Sequence, residues 1–235
     1  MRVPTLVVLS GAEIGAGSVR QLLRAAAAGR LDTDRIVVVD RDPQCLASRL
    51  DDPRVRVAVA DWSEWLDGHL DALGPQDHVV PYHWAPHLLV GWLRRQAERR
   101  FATATHGEGV PPHPVPIDRA TGDGDRALSY ATWVCPPTCI EPALCPHTRG
   151  PKDWSLAGDL ETAVPGEPLE GRIVFRCLHL VYGVGTVPVA AIHAARARVL
   201  DAPSSGARRF LVATSSHCHA LATVLTVTPR EPALS

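Results

Sequence analysis

Residues 5–100 alternate short apolar runs with amphipathic stretches, and this alternation restricts the fold more than any other feature of the chain. Thr5–Leu9 and Arg35–Val39 read as strands, and Val55–Ala60 and His78–Val80 repeat the pattern. Their β-branched side chains suit a pleated, buried surface. Between them, Ser18–Ala28, Gln44–Leu50 and Ser63–Leu73 have helical character. Leu22 and Leu23 mark the inner face of the first, and Trp65, Leu66, Leu70 and Leu73 that of the third. Pro86–Arg100 continues as a long amphipathic helix with a basic end. Strands and helices that alternate with short connections predict an α/β fold, a parallel sheet with helices on both faces.

Beyond this the pattern breaks. Residues 107–116 carry four prolines and two glycines, and Thr121–Asp125 reads as a turn. Ala127–Val134 reads as a strand that delivers Cys135 to its end, and Pro151–Pro168 is polar and broken. Order returns with an Arg172–Leu180 strand, a Val187–Leu200 helix behind the turn Gly183–Thr186, and strands at Arg209–Thr214 and Leu221–Val227. The chain is therefore expected to comprise a nucleotide-binding part, 1–106, and a second part, 107–235. The second part carries a cysteine-rich loop insertion and is expected to complete the same sheet.

The chain's 46% hydrophobic and 21% charged residues supply a core and exclude a disordered chain. A net charge of −1 provides no basic field for nucleic acid or an anionic membrane. No stretch reaches the roughly 20 apolar residues needed to span a bilayer, and the apolar run after Met1 is too short for a signal-peptide core. The expectation is a soluble cytoplasmic protein acting on a small molecule or a redox partner protein; a homo-oligomer is compatible with it. In a reducing compartment its six cysteines serve as ligands, reactive thiols or buried fillers rather than disulfides.

Ser10-Gly11-Ala12-Glu13-Ile14-Gly15-Ala16-Gly17 lies between the first strand and the first helix. Glycine permits a tight turn and a close phosphate, and the following helix start offers free N–H groups. Asp40 ends the second strand, about 20 residues beyond Gly17, where a carboxylate accepts bonds from ribose hydroxyls. Asp61, just past the third strand, is placed to reach an adenine edge. At these residues the chain resembles the Rossmann superfamily of NAD(P)-binding proteins, and its Gly11-x3-Gly15-x-Gly17 pattern is most similar to the short-chain dehydrogenase variant. The resemblance implies a Rossmann-like parallel sheet and NAD(P) as cofactor. It does not carry over the catalytic Tyr-x3-Lys pair of that variant. Lys152 is the only lysine, and Tyr82, Tyr130 and Tyr182 have none four residues onward. Asp40 favours NAD, Arg41 beside it could meet a 2′-phosphate, and S-adenosylmethionine uses the same acidic position. The plainer alternative is a turn whose glycines serve only packing.

Cys135, Cys139 and Cys145 fall on one proline-rich loop in a C-x3-C-x5-C spacing. Such a loop can wrap an iron–sulfur cluster or, alternatively, zinc. Cys218 is the leading fourth ligand, with Cys177 and His147 as alternatives; reactive thiols without metal are the competing reading. His83 and His87 follow the fourth strand, at the ligand edge of an open α/β sheet. His217 and His219 flank Cys218, and an extended segment would place both on one face. These four histidines are the candidate catalytic groups. The reading that unites the features is an NAD(P)-dependent oxidoreductase or electron-transfer protein with an iron–sulfur cluster. A non-catalytic redox or nucleotide sensor and a zinc-containing adenosine-cofactor transferase are the alternatives.

Overall fold

The computed structural model describes residues 1–82, 87–107, 109–121, 124–136, 139–162, 169–201 and 206–230. In chain order the first elements are β1 (Thr5–Leu9), α1 (Glu13–Ala27), β2 (Arg35–Asp40), β3 (Val55–Val59), α2 (Trp62–His69) and β4 (His78–Val80). They are followed by α3 (Leu88–Arg100), β5 (Thr103–His106), β6 (Ile117–Ala120), β7 (Arg126–Ser129) and α4 (Leu156–Thr162). The last are β8 (Gly171–Arg176), β9 (Leu178–Val181), β10 (Val184–Pro188), α5 (Val189–Leu200), β11 (Arg208–Ser215) and β12 (His219–Thr228). The protein is α/β, and the described residues form two six-stranded sheets. No helix among the described residues is long and apolar enough to cross a membrane.

The chain divides into two compact units. The first joins Met1–Leu88, Cys135–Lys152 and Cys177–His193. In it β1 to β4 run parallel in the order β3-β2-β1-β4. β1 is buried at every residue, as a strand covered on both faces must be. Leu6 and Val8 share a cluster with Ala16, Val19, Leu22 and Ala25 of α1. The sheet then departs from the expected parallel arrangement: β10 pairs antiparallel with β4, and β9 antiparallel with β10. The β9–β10 pairing follows from their connection, because Tyr182 and Gly183 both adopt positive φ (45° and 82°) in a turn too short to return a strand in parallel. The segment read as one strand, Arg172–Leu180, therefore breaks at Cys177 into β8 and β9, which belong to different sheets.

Asp77 ties this unit together. Its buried carboxylate accepts the Thr5 N–H (2.8 Å) and the Gly74 N–H (2.8 Å). Its carbonyl accepts the first N–H of α5, from Val189 (2.9 Å). The start of β1, the turn before β4 and the start of α5 are thereby held by one residue.

The second unit joins Leu89–Val134, Asp153–Arg176 and Ala194–Ser235. Its sheet runs β6-β7-β12-β11-β8, with β5 pairing along the far half of β12. These strands build a second sheet rather than extending the first. Leu156 and Leu160 of α4 pack on Leu211, Ala213, Ala220, Ala222 and Val224. This helix occupies part of the stretch read as polar and broken, and its three buried positions are Leu156, Ala157 and Leu160.

α1 starts at Glu13 rather than Ser18, so Gly15 and Gly17 lie within the helix instead of in the turn before it. The two glycines differ. A Cβ on Gly15 would overlap the Ser10 carbonyl oxygen, whereas one on Gly17 would meet nothing nearer than the tip of Arg20 at 4.0 Å. Gly15→Ala is expected to cost at least about 2 kcal/mol through backbone displacement. Gly17→Ala should be neutral or stabilise by about 0.5–1 kcal/mol, as alanine does in a helix interior. Urea unfolding of the two variants checks this; equal effects would contradict the close approach.

Candidate functional site

The turn between β1 and α1 is built from three anchored residues. Ser10 is buried with φ 98°, a conformation that a non-glycine residue holds only when its surroundings enforce it. Its N–H donates to the Val39 carbonyl (3.0 Å), and its Oγ accepts the Ala12 N–H (3.1 Å). The Gly11 N–H donates to Asp40 Oδ2 (2.6 Å), and a side chain on Gly11 would overlap the Cys45 sulfur. Asp40 Oδ1 accepts the Asp42 N–H (2.9 Å). The expected ribose carboxylate is thus fixed at the end of β2 and braces the turn. Ala12, the N-cap of the fifteen-residue helix α1, has no side-chain hydrogen bond to cap it, and Glu13 is the acidic residue of its first turn.

Asp40, Arg41, Asp61 and Trp62 line a shallow cleft beside this turn. The Trp62 indole N–H donates to the Val39 carbonyl (2.8 Å), and its ring meets Tyr82 at 5.1 Å between centroids. Asp61 does more than line the cleft. It caps α2, accepting from the Ser63 N–H (2.8 Å) and the Glu64 N–H (3.2 Å), and it pairs with Arg41. Burial alone would raise its carboxyl, but the Glu64 and Ser63 amides and the Arg41 guanidinium outweigh that and hold it below the usual carboxylate range.

Cys135, Cys139 and Cys145 lie in the same unit. β7 ends at Ser129, so Cys135 is not delivered by a strand. The loop closes through a bridge between Leu144 and Pro151, with the Cys145 N–H donating to Gly150 (2.9 Å) and the Arg149 N–H to Cys145 (2.8 Å). Cys145 is buried, and its thiol is held below its usual range. The Thr148 N–H contributes most and works against burial; the His147 N–H, the Thr148 hydroxyl and the charge of Lys152 assist it. Lys152 Nζ is itself buried without a hydrogen-bond partner. Cys177 is the opposite case, pushed up to about 12 by burial and then by Glu141. Among the described residues, no three His, Cys, Asp or Glu side chains are grouped to hold a metal ion.

The other candidates disperse. Cys218, His217 and His219 belong to the second unit. The Ser216 N–H donates to the His219 carbonyl (2.8 Å), so this segment is a tight turn between β11 and β12 rather than the expected extended segment. The Cys218 thiol accepts the Trp154 indole N–H (3.3 Å), and His219 Nδ1 bonds Ser129 Oγ (2.9 Å). His87 directly precedes α3, and His83 lies outside the described residues. One group escaped the sequence reading: the Tyr130 hydroxyl donates to Asp159 (2.7 Å), with Trp154 5.8 Å from the tyrosine ring. Tyr130 and Asp159 are 29 residues apart, and no local motif marks them.

A family model described as "Uncharacterized protein, C-terminal domain" matches residues 87–228, more than half of the chain. No curated protein and no solved structure matches.

The Asp159 bond, helped by burial and the carboxylate's charge, pushes the Tyr130 phenol up to about 12. A raised tyrosine keeps its proton in the folded state while the unfolded chain loses it, so the contribution is full below pH 10 and fades as the pH rises through 12. The stability advantage of the wild type over Tyr130→Phe should therefore shrink between pH 10 and 12, as read from urea midpoints. An advantage independent of pH would contradict it.

Proposed function

The chain belongs to the family of that uncharacterized C-terminal domain, and we propose that its N-terminal part binds an adenosine dinucleotide of the NAD(P) type in a Rossmann-like manner. The observation that carries the reading is the Asp40 carboxylate. A carboxylate has roughly four acceptor sites, and the Gly11 and Asp42 N–H groups take two of them. The remainder suits the paired hydroxyls of a ribose. A pyrophosphate would meet the uncapped start of α1, which Gly15 lets lie against the turn. Trp62 and Arg41 would flank the adenine. When bound, NAD(P) supplies hydride transfer, which makes the chain an oxidoreductase or electron-transfer protein; its own residues bind and orient. Asp40 disfavours a 2′-phosphate, and Arg41 is occupied by Asp61, so NAD is the expected form.

Titration calorimetry with NAD, NADP and S-adenosylmethionine tests the reading. NAD should bind saturably, and Asp40→Asn should weaken it at least about tenfold, the scale of a lost charge-assisted bond. Preferential binding of S-adenosylmethionine would redirect the reading to a transferase. No saturable binding of any of the three to folded protein would end it.

A second, linked reading rests on Cys145. A thiol surrounded by N–H donors and a lysine is stabilised as thiolate, the form in which cysteine ligates metal. We propose Cys145 as the anchor of an iron–sulfur or zinc site, with Cys135 and Cys139 as the other loop thiols. Convergence of the loop around the ion is part of the proposal. Metal analysis of protein purified without oxygen should find iron, about four per chain for a cubane cluster, or stoichiometric zinc. Cys145→Ser should lose it. Wild-type protein free of both metals would remove this reading and leave the nucleotide one standing.

A further inference from the structure

Two arginines of the second unit stand over adjacent strands of its sheet, where β8 and β11 begin. The Arg208 side chain is only 13% exposed and stands over the Phe210 ring, its guanidinium carbon 5.4 Å from the ring centre. Its Nη2 reaches Glu170 at 3.0 Å, but its Nη1 is buried without a hydrogen-bond partner. Arg198 approaches from α5. Its Nη1 donates to the Arg172 carbonyl (2.8 Å), and its guanidinium fills the space that a side chain on Gly171 would take; an added Cβ would lie 2.8 Å from Nη2 and 3.1 Å from both Cζ and Nε. Gly171 and Phe210 are register partners on adjacent parallel strands. The guanidinium over Gly171 and the one over Phe210 therefore stand over adjacent strands of one sheet.

This arrangement is costly as it stands. Two like charges stand over adjacent strands, one of them largely out of water, and the half-exposed carboxylate of Glu170 is bonded to Arg208. A buried guanidinium N–H left unpaired costs the desolvation of a charged donor. Replacing Gly171 by any other residue would push Arg198 away, so the absence of a side chain keeps the pair together. Planar guanidinium forks match tetrahedral oxyanions, and two of them neutralise a dianion.

We propose that Arg198 and Arg208 form a binding site for the phosphate dianion of a small phosphate monoester. The site lies within the segment that the family match covers and is independent of the nucleotide reading. The dianion would take Nη1 of Arg208 and the free edge of Arg198, and Phe210 would hold the Arg208 fork flat. Glu170, bonded to Nη2, sets the other edge of Arg208 and disfavours occupation by a second anion.

The test uses the full chain and inorganic phosphate as probe. Phosphate is titrated at constant ionic strength against chloride, with thermal unfolding as readout. A saturable rise in Tm is expected for the wild type, with affinity lowered at least about tenfold in Arg198→Gln and in Arg208→Gln. Gly171→Ala should weaken it as well. Arg198 is exposed, so its variant remains informative if Arg208→Gln fails to fold. A rise no larger than that produced by chloride, or one that Arg198→Gln retains in full, would overturn the proposal.

Discussion

The first unit depends on how closely α1 can lie against the end of β1. At Gly15 the helix touches the Ser10 carbonyl, leaving no room for a side chain. Ser10 answers with a positive φ, and its hydroxyl and amide are both engaged in holding that conformation. From this contact follow the burial of Ala16, Val19 and Leu22 on the sheet, the bond from Gly11 to Asp40, and the aim of the helix start across the turn. A larger residue at position 15 would lift the helix and undo all three. Packing and ligand geometry are thus one constraint in this part of the chain.

Where an element is fixed by its own residues, the sequence reading and the structure coincide. Thr5–Leu9 and His78–Val80 are strands at the expected residues, and Asp40 ends β2 as the spacing from the glycines predicts. Where an element is fixed by a distant partner, they diverge. β5 and β6 are short, polar strands that exist because β12 and β7 offer them edges. The break at Cys177 is set by which sheet each half joins, and no periodicity within Arg172–Leu180 records that choice. Asp61 shows the same limit within the site: its position past β3 is legible, but its duty as the cap of α2 depends on amides that a sequence does not orient.

The cysteines divide along similar lines. The sequence groups Cys135, Cys139 and Cys145 by proximity, yet their environments differ. Cys145 has N–H donors and a lysine about it, whereas Cys177 in the same unit is desolvated beside the Glu141 carboxylate. One thiol is drawn toward the thiolate and the other away from it, and spacing alone does not separate them. His219 and Cys218 are similarly explained by their neighbours, Ser129 and Trp154, rather than by each other.

The first sheet takes β1 to β4 from the beginning of the chain and β9 and β10 from beyond residue 177. The chain through β10 must therefore leave the ribosome before β4 acquires its last neighbour, and until then its edge is open to pairing with other chains. Closing the sheet brings together strands about a hundred residues apart, an entropic toll that slows folding more than it reduces final stability. The protein is thus expected to be at its most aggregation-prone during synthesis, and its family-matched segment, cut free, would carry β9 and β10 without the strand they complete.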